Sequence, residues 1–214
     1  MQATRFILVR HGETAANRDM RYIGTRDDAL TERGHEQARL LAGTLAPLPV
    51  AAIYTSPRQR ARATAQPLAD HLNVPVLVVD ELQESAFGAW EGMTRTEVLE
   101  HSPEWADRLR AWETDATVAP PDGESIAAMT TRVAAFAERL LEQHVGKTVV
   151  FVAHVGPIKA MIAATLGVVP GVVQRMFLDP ATISVVDWGT QKRFLRLFNS
   201  HAHLGWTEAR WMAL

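Results

Sequence analysis

Thr148-Val149-Val150-Phe151-Val152-Ala153-His154-Val155-Gly156-Pro157 is the stretch that decides the fold. Val149 to Val152 are apolar on consecutive positions, so neither face of an extended segment would be polar. A run of that kind suits a strand covered on both sides, as in parallel sheets flanked by helices. A strand is predicted over Thr148 to Ala153, with His154 where it stops. Gly156-Pro157 is expected to open the next helix, with Ile158, Met161 and Ile162 inward. A second such run, Phe6 to Val9, ends in Arg10-His11-Gly12-Glu13-Thr14. In open α/β sheets, ligands sit at the carboxyl ends of strands. Both strand ends therefore become places to look for chemistry.

Further out, apolar runs alternate with helical periods. Thr31 is expected to cap a helix with Ala38, Leu41, Ala42 and Leu45 inward, the i, i+3, i+4, i+7 pattern. Val50 to Tyr54 reads as a strand. Ser56-Pro57 reads as an N-cap followed by proline in the first turn, opening a helix to about Leu72 with a kink at Pro67. Val76 to Val79 reads as a third strand, and residues 81–92 as a loop of aromatics and glycines. Thr94-Arg95-Thr96-Glu97 is a capping-box pattern, and Ser102-Pro103 opens a helix with Trp105, Leu109 and Trp112 on one face. After the linker Ala119 to Gly123, Ser125 starts a long helix, ending near Gly146, with Ile126, Met129, Val133, Phe136 and Leu140 inward. Ile183 to Trp188 and Phe194 to Phe198 flank Gly189-Thr190-Gln191-Lys192, a predicted hairpin. The order β-α-β-α-β-(loop, helices)-α-β-α-β-β is that of an α/β sandwich on a mostly parallel sheet. Residues 1–214 are read as one domain with a helical insertion at about 94–115.

Composition narrows the function classes. With 214 residues, 47% apolar and 21% charged, the chain can hold a substantial core, which argues against disorder, collagen and coiled coil. A net charge of −2 argues against a broad nucleic-acid or anionic-membrane surface. No nucleic-acid or membrane partner is expected. Cysteine is absent, which removes thiol catalysis and zinc–thiolate sites and fits a reducing cytoplasm, the expected location. No apolar run nears the roughly 18 residues of a membrane span, and the run after Arg5 is too short for a signal peptide.

Four strand ends bring together two histidines, two or more arginines and one carboxylate. Arg10 and His11 end the first strand, and Gly12 leaves the backbone open to a ligand. After the second strand come Arg58, Arg60 and Arg62. At 100° per residue, Arg58 and Arg62 share a face and Arg60 points the other way. Glu84 follows the third strand and His154 the fourth. Arginine forks bind phosphate oxygens through paired, charge-assisted hydrogen bonds. A neutral imidazole beside them can accept a phosphoryl group, and the Arg10 charge favours that neutral form. Glu84, near Phe87 and Trp90, could hold a raised pKa and serve as an acid. Singly, each has a plainer reading: a salt-bridged strand end for Arg10-His11, a hydrogen-bonded structural His154, a solvated loop charge for Glu84. Arg58 and Arg62 read as a wet helix face. His35, His71, His101 and His144 read as exposed, and Trp105 and Trp112 as packing.

At these residues the chain resembles the histidine phosphatase superfamily, the phosphoglycerate mutase-like fold. The resemblance runs through Arg10 to Thr14 with Asn17, Asp27 to Gly34, and Ser56 to Ala61. It continues in Glu84 with Phe87 to Gly92, in Gly123-Glu124-Ser125, and in Ala153 to Pro157, so that it spans about residues 5–200. It implies a three-layer α/β/α sandwich. The sheet would be six-stranded and mostly parallel with one antiparallel strand, the first and fourth strands central. It implies His11 as the nucleophile that becomes phosphohistidine. Arg10, Arg60 and His154 would hold the transferred group, with Asn17 nearby, and Glu84 would be the proton donor. Thr14, Gly24, Val155 and His203 are its further phosphate- or substrate-binding candidates. No metal and no cofactor are implied.

Two departures stand out. Ile23, in Tyr22-Ile23-Gly24, occupies a place where many relatives carry glutamine, removing a polar contact. Ser85 to Trp90 lacks the tyrosine-bearing stretch and longer insertion of the phosphoglycerate mutases, which is more like the phosphatase branch, including alpha-ribazole phosphatases. Asn199 through His203-Leu204-Gly205 resembles the tail of metal-independent phosphoserine phosphatases. The expected function is a phosphomonoesterase acting on a small phosphorylated metabolite. A mutase that returns the phosphoryl group is the rival of the same chemistry, and a non-catalytic phospho-ligand binder the rival of another class. An edge strand at Phe194 to Phe198, with Trp206 and Trp211, predicts a homodimer. His201 with His203, at i, i+2, make a weak metal-ligand pair.

Overall fold

The computed structural model describes residues 2–205. Trp206 and Trp211, part of the dimer expectation, lie outside them. Six strands form one sheet: β1 (Thr4–Arg10), β2 (Val50–Thr55), β3 (Val76–Val78), β4 (Thr148–Ala153), β5 (Ile183–Trp188) and β6 (Arg193–Ser200). Their order is β3-β2-β4-β1-β5-β6. β1 and β4 pair in parallel at the centre, and β5 runs against both of its neighbours. The helices are α1 (Ala15–Arg18), α2 (Glu32–Leu45), α3 (Gln59–Leu72), α4 (Arg95–His101), α5 (Pro103–Trp112), α6 (Ile126–Leu141) and α7 (Val155–Leu166).

Period-two alternation splits the central strands between two cores. Phe6 and Leu8 of β1, with Val149 and Phe151 of β4, pack under α6 and α7. Ile7 and Val9, with Val150 and Val152, pack under α2 and α3. Each such side chain contributes about 1.5–3 kcal/mol on burial, against roughly 1–2 kcal/mol per residue for ordering the backbone. Runs buried on both faces are therefore where the sheet can be anchored. A smaller cluster of Trp90, Val98 and Leu109 lies under α4 and α5, the predicted insertion.

Helix ends follow local chemistry. Thr31, Ser102 and Ser125 each accept an N–H of the turn they start, and Thr94 with Glu97 forms the predicted capping box. Two predicted starts are corrected. α3 begins at Gln59, two residues after Pro57, with Arg58 extended before it; the Ser56 hydroxyl meets the Arg58 N–H at 3.3 Å and His154 Nε2 at 2.8 Å. α7 begins at Val155 with His154 extended before it, and the Gly156 N–H is satisfied from outside by Glu84. α3 continues through Pro67 to Leu72, and α6 stops at Leu141, short of Gly146. A 3-10 turn at Pro170–Arg175 and the four-residue α1 were not expected. His144 is not free in solvent: half-buried, it meets the Tyr54 hydroxyl at 3.0 Å.

Candidate active site

Arg10 and Ala153 are register partners at the ends of β1 and β4, so His11 and His154 leave the sheet side by side. Their rings lie 5.0 Å apart, centroid to centroid. The turn after His11 is too tight for any side chain but glycine's: a Cβ on Gly12 would lie 2.6 Å from the Gly34 carbonyl oxygen. His11 Nδ1 sits 2.7 Å from the Gly12 carbonyl oxygen. A carbonyl only accepts, so Nδ1 carries the proton and Nε2 of the neutral ring keeps its lone pair. Burial, then the Arg60 and Arg10 charges, hold the His11 pKa well below the ordinary imidazole value, against the Gly12 bond.

His154 is fully buried and has the opposite tautomer. Arg60 Nε donates to its Nδ1 at 3.3 Å, so Nε2 holds the proton and gives it to Ser56 Oγ at 2.8 Å. Burial, again with Arg60, keeps this ring's pKa well below the usual range too. Arg60, 1% exposed, donates also to the carbonyls of Arg26 at 2.6 Å and Gly24 at 3.1 Å. Arg10 donates to the Leu178 carbonyl at 2.5 Å. As predicted, Arg60 turns inward while Arg62 stays exposed; Arg58, half-buried, reaches Gln83 Oε1 at 2.6 Å.

Glu84 enters from the loop after β3. Its carboxylate accepts the Ser85 N–H at 2.9 Å and the Gly156 N–H, in the first turn of α7, at 3.1 Å to each oxygen. Burial raises its pKa, and those two N–H groups with Arg60 and Arg10 oppose the rise. Phe87 lines the same cavity as the carboxylate. Trp90 packs away from it, against Tyr22 and Trp112. The loop is clamped by Arg132. It donates to the Glu81 carbonyl at 2.7 Å and the Gln83 carbonyl at 3.3 Å while paired bidentately with Glu124.

A cavity of about 280 Å³ opens onto these groups. Arg10, His11, Asn17, Glu84 and Val155 line its polar end, and Tyr22, Ile23, Phe87, Trp112 and Phe177 its apolar walls. Arg60 and His154, each 1% exposed, are not on its wall. Lys159, one helical turn beyond Val155, is. Burial lowers the Lys159 pKa to about 8, with Glu84 raising it and Arg10 lowering it. Among the described residues, no cluster of three or more His, Asp or Glu side chains is placed to hold a metal ion.

Residues 6–201 match the model of the histidine phosphatase superfamily, branch 1. The chain belongs to that family. It is 38% identical over 203 residues to a bifunctional protein of Mycobacterium tuberculosis, covering 94% of this chain and 55% of that protein. The chain thus spans about half the length of the mycobacterial relatives it matches. It is 37% identical over 202 residues to phosphoserine phosphatase 1 of Hydrogenobacter thermophilus, covering 94% of each. The crystal structure of the alpha-ribazole phosphatase from Shigella flexneri superposes with a TM-score of 0.81 at 33% identity, covering 92% of this chain and 97% of that one.

Other predicted members of this histidine phosphatase's site fall outside the cavity wall. Thr14 caps α1, its hydroxyl accepting the Asn17 N–H at 3.2 Å while Asn17 Oδ1 accepts the Thr14 N–H at 3.2 Å. Gly24 gives its N–H to Glu91 and its carbonyl to Arg60, so it supports the site from behind. His203 meets the Ala181 carbonyl at 2.8 Å, and Ala181 in turn donates to the His11 carbonyl at 3.0 Å. His201 is buried against Asp179, 3.1 Å away. Ser56, Arg132 and Lys159 were missed. The signal for Lys159 was a lone cation in the otherwise apolar run Pro157 to Leu166. The Arg132–Glu124 clamp, eight residues apart across the start of α6, has no local signature.

Proposed function

We propose that this chain is a phosphomonoesterase that hydrolyses a small phosphorylated metabolite through a phosphohistidine at His11. One observation carries the reading: Nδ1 of His11 is tied to the Gly12 carbonyl, so Nε2 faces an arginine-bearing cavity as a free nucleophile. His11 Nε2 attacks phosphorus as the bond to the leaving oxygen breaks. Arg10, on the wall, takes the phosphoryl oxygens, and Arg60 and His154 support the pocket with charge and position. Glu84, whose pKa is raised, gives its proton to the departing alkoxide. Water then attacks the phosphohistidine, and the Glu84 carboxylate takes a proton from that water. Phosphate leaves, and both groups return to their starting states. Asn17 and Val155 border the transferred group. The phosphatase names of the full-length relatives support this reading over a binding protein.

Brief exposure to labelled substrate should trap an acid-labile, base-stable phosphoenzyme in the wild type and none in His11→Ala. If His11→Ala keeps the label and His154→Ala loses it, the histidines are reversed. Isomer exchange of phosphoglycerate without phosphate release would make the chain a mutase instead. We further propose cytoplasmic action by one catalytic unit, the cysteine-free composition supporting that location. No helix among the described residues is long and apolar enough to cross a membrane. Pairing of two copies along β6 is proposed because Phe194, Leu197 and Phe198 are exposed on that edge strand.

A further inference from the structure

The phosphate chemistry leaves one charged group on the cavity wall without work. Arg10 and His11 meet the phosphoryl group and Glu84 the leaving oxygen. Arg21, also on the wall, is committed to the Gly92 carbonyl at 2.7 Å and to Glu97 at 2.9 Å. Lys159 has no hydrogen bond or ion pair with any described residue. Glu84, the carboxylate that acts on it through its charge, has both oxygens on backbone N–H groups. The lysine is half-buried and shares the cavity wall with Val155, Phe177, Leu178 and Trp112. An ammonium held among apolar walls is costly unless it meets an anion.

Its position separates it from the phosphoryl end. Lys159 stands four residues after Val155 on α7, so the two share a face about 6 Å apart along the axis. Helical side chains lean toward the N-terminus, which carries the lysine head back over Val155 toward the cavity. The ammonium therefore sits beyond the reacting group, toward the alcohol part of a bound phosphomonoester. A single ammonium matches a singly charged anion.

We propose that Lys159 receives a carboxylate on the alcohol part of the substrate, so that the substrate class is phosphomonoesters of hydroxy acids. This rests on the phosphatase reading for turnover, but not for binding. The test compares 3-phosphoglycerate with glycerol 3-phosphate, which differ by one carboxylate. Variants are Lys159→Met, which keeps the stem, and Lys159→Arg, which keeps the charge. Expected is a wild-type preference for 3-phosphoglycerate in kcat/KM. Lys159→Met should shrink that preference by about tenfold or more, through KM, and Lys159→Arg should restore part of it. The preference should also fade above about pH 8, as the lysine, with Glu84 and Arg10 facing it, loses its proton. The same comparison by calorimetric titration of His11→Ala protein reads binding alone. If neither compound releases phosphate, the phosphatase reading fails while the dissociation constants still decide the lysine. Equal losses on both compounds, an unchanged ratio, or no detectable binding of either would overturn the proposal.

Discussion

Gly156→Ala adds a single methyl group to the protein at the point where α7 meets the proposed acid. The new Cβ would overlap Oε1 of Glu84 and stand 2.5 Å from the Met129 sulfur. Restoring ordinary contact requires the carboxylate to retreat by roughly an ångström. The retreat takes it off the Gly156 N–H, which now reaches both of its oxygens at 3.1 Å. General acid help is worth about 10²- to 10⁴-fold, and a 1 Å misplacement can cost about 10²-fold. The expected loss of kcat on an alkyl phosphate is therefore about 10²-fold, or about 2.7 kcal/mol of barrier. An aryl phosphate such as p-nitrophenyl phosphate, whose leaving group departs as an anion, should lose far less.

Stability moves by a different amount. Alanine gains up to about 1 kcal/mol over glycine in a helix interior, less in a first turn. Against this stand a charge-assisted hydrogen bond of about 1.5–3 kcal/mol and overpacking of about 1–3 kcal/mol. A net destabilisation of roughly 1.5–6 kcal/mol follows, readable as a fall in Tm. The assay is steady-state kcat on a matched alkyl and aryl pair, with thermal melts, in wild type, Gly156→Ala, Glu84→Gln and the double variant. In the Glu84→Gln background the methyl should cost no further alkyl-phosphate activity, because both changes act through one group. A Gly156→Ala protein with both rates within twofold of wild type and a raised Tm would refute the placement of Glu84 against α7. Equal losses on both substrates would refute its role as acid.

Three further outcomes are expected. His11 and His154 are depressed in the folded state, so the unfolded chain takes up protons first as pH falls through about 6.5. Stability present above that pH is then lost below it, at up to about 1.4 kcal/mol per unit for each ring, and His154→Gln should flatten the fall of Tm between pH 7 and 5. Arg132→Met frees the Glu81 and Gln83 carbonyls, and kcat on alkyl phosphates should drop by about tenfold or more with KM little changed; an unaltered kcat means the clamp is irrelevant to Glu84. Light scattering should give the mass of two chains at micromolar concentration, shifting toward one in Phe194→Glu; a monomeric wild type ends the dimer proposal.

Strand and helix periods made the architecture readable, because burial on two faces or one leaves a residue-by-residue mark. Val149 to Val152 and Phe6 to Val9 occupy the two central strands for that reason. The opposite orientation of Arg60 and Arg62 was readable from helical geometry, and the resemblance chose Arg60 as the inward one. What escaped depends on contacts between distant segments. Ser56-Pro57 has the local pattern of a helix start, but the helix starts at Gln59 and the Ser56 hydroxyl also meets a histidine 98 positions away. Thr14 looked like a ligand contact, yet it caps α1 and lies off the cavity wall that Asn17 lines. Glu84 was found for its position after a strand, and burial raises its pKa as expected. The contact that escaped is the Gly156 N–H on its carboxylate, which comes from 72 positions away.

The strand order has a consequence for how the chain is made. β1 pairs on one side with β4, Arg5 opposite Thr148, and on the other with β5, Val9 opposite Ile183. During synthesis the strand that carries His11 therefore emerges first and waits longest for both partners. Until β4 leaves the ribosome, Phe6 to Val9 present two open edges and an uncovered apolar surface, the condition in which nascent chains stick to one another. Closure over so long a separation makes for slow folding. The two histidines come together only at that late step, so a nascent chain cut short of β4 would hold the first half of the site with no pocket around it.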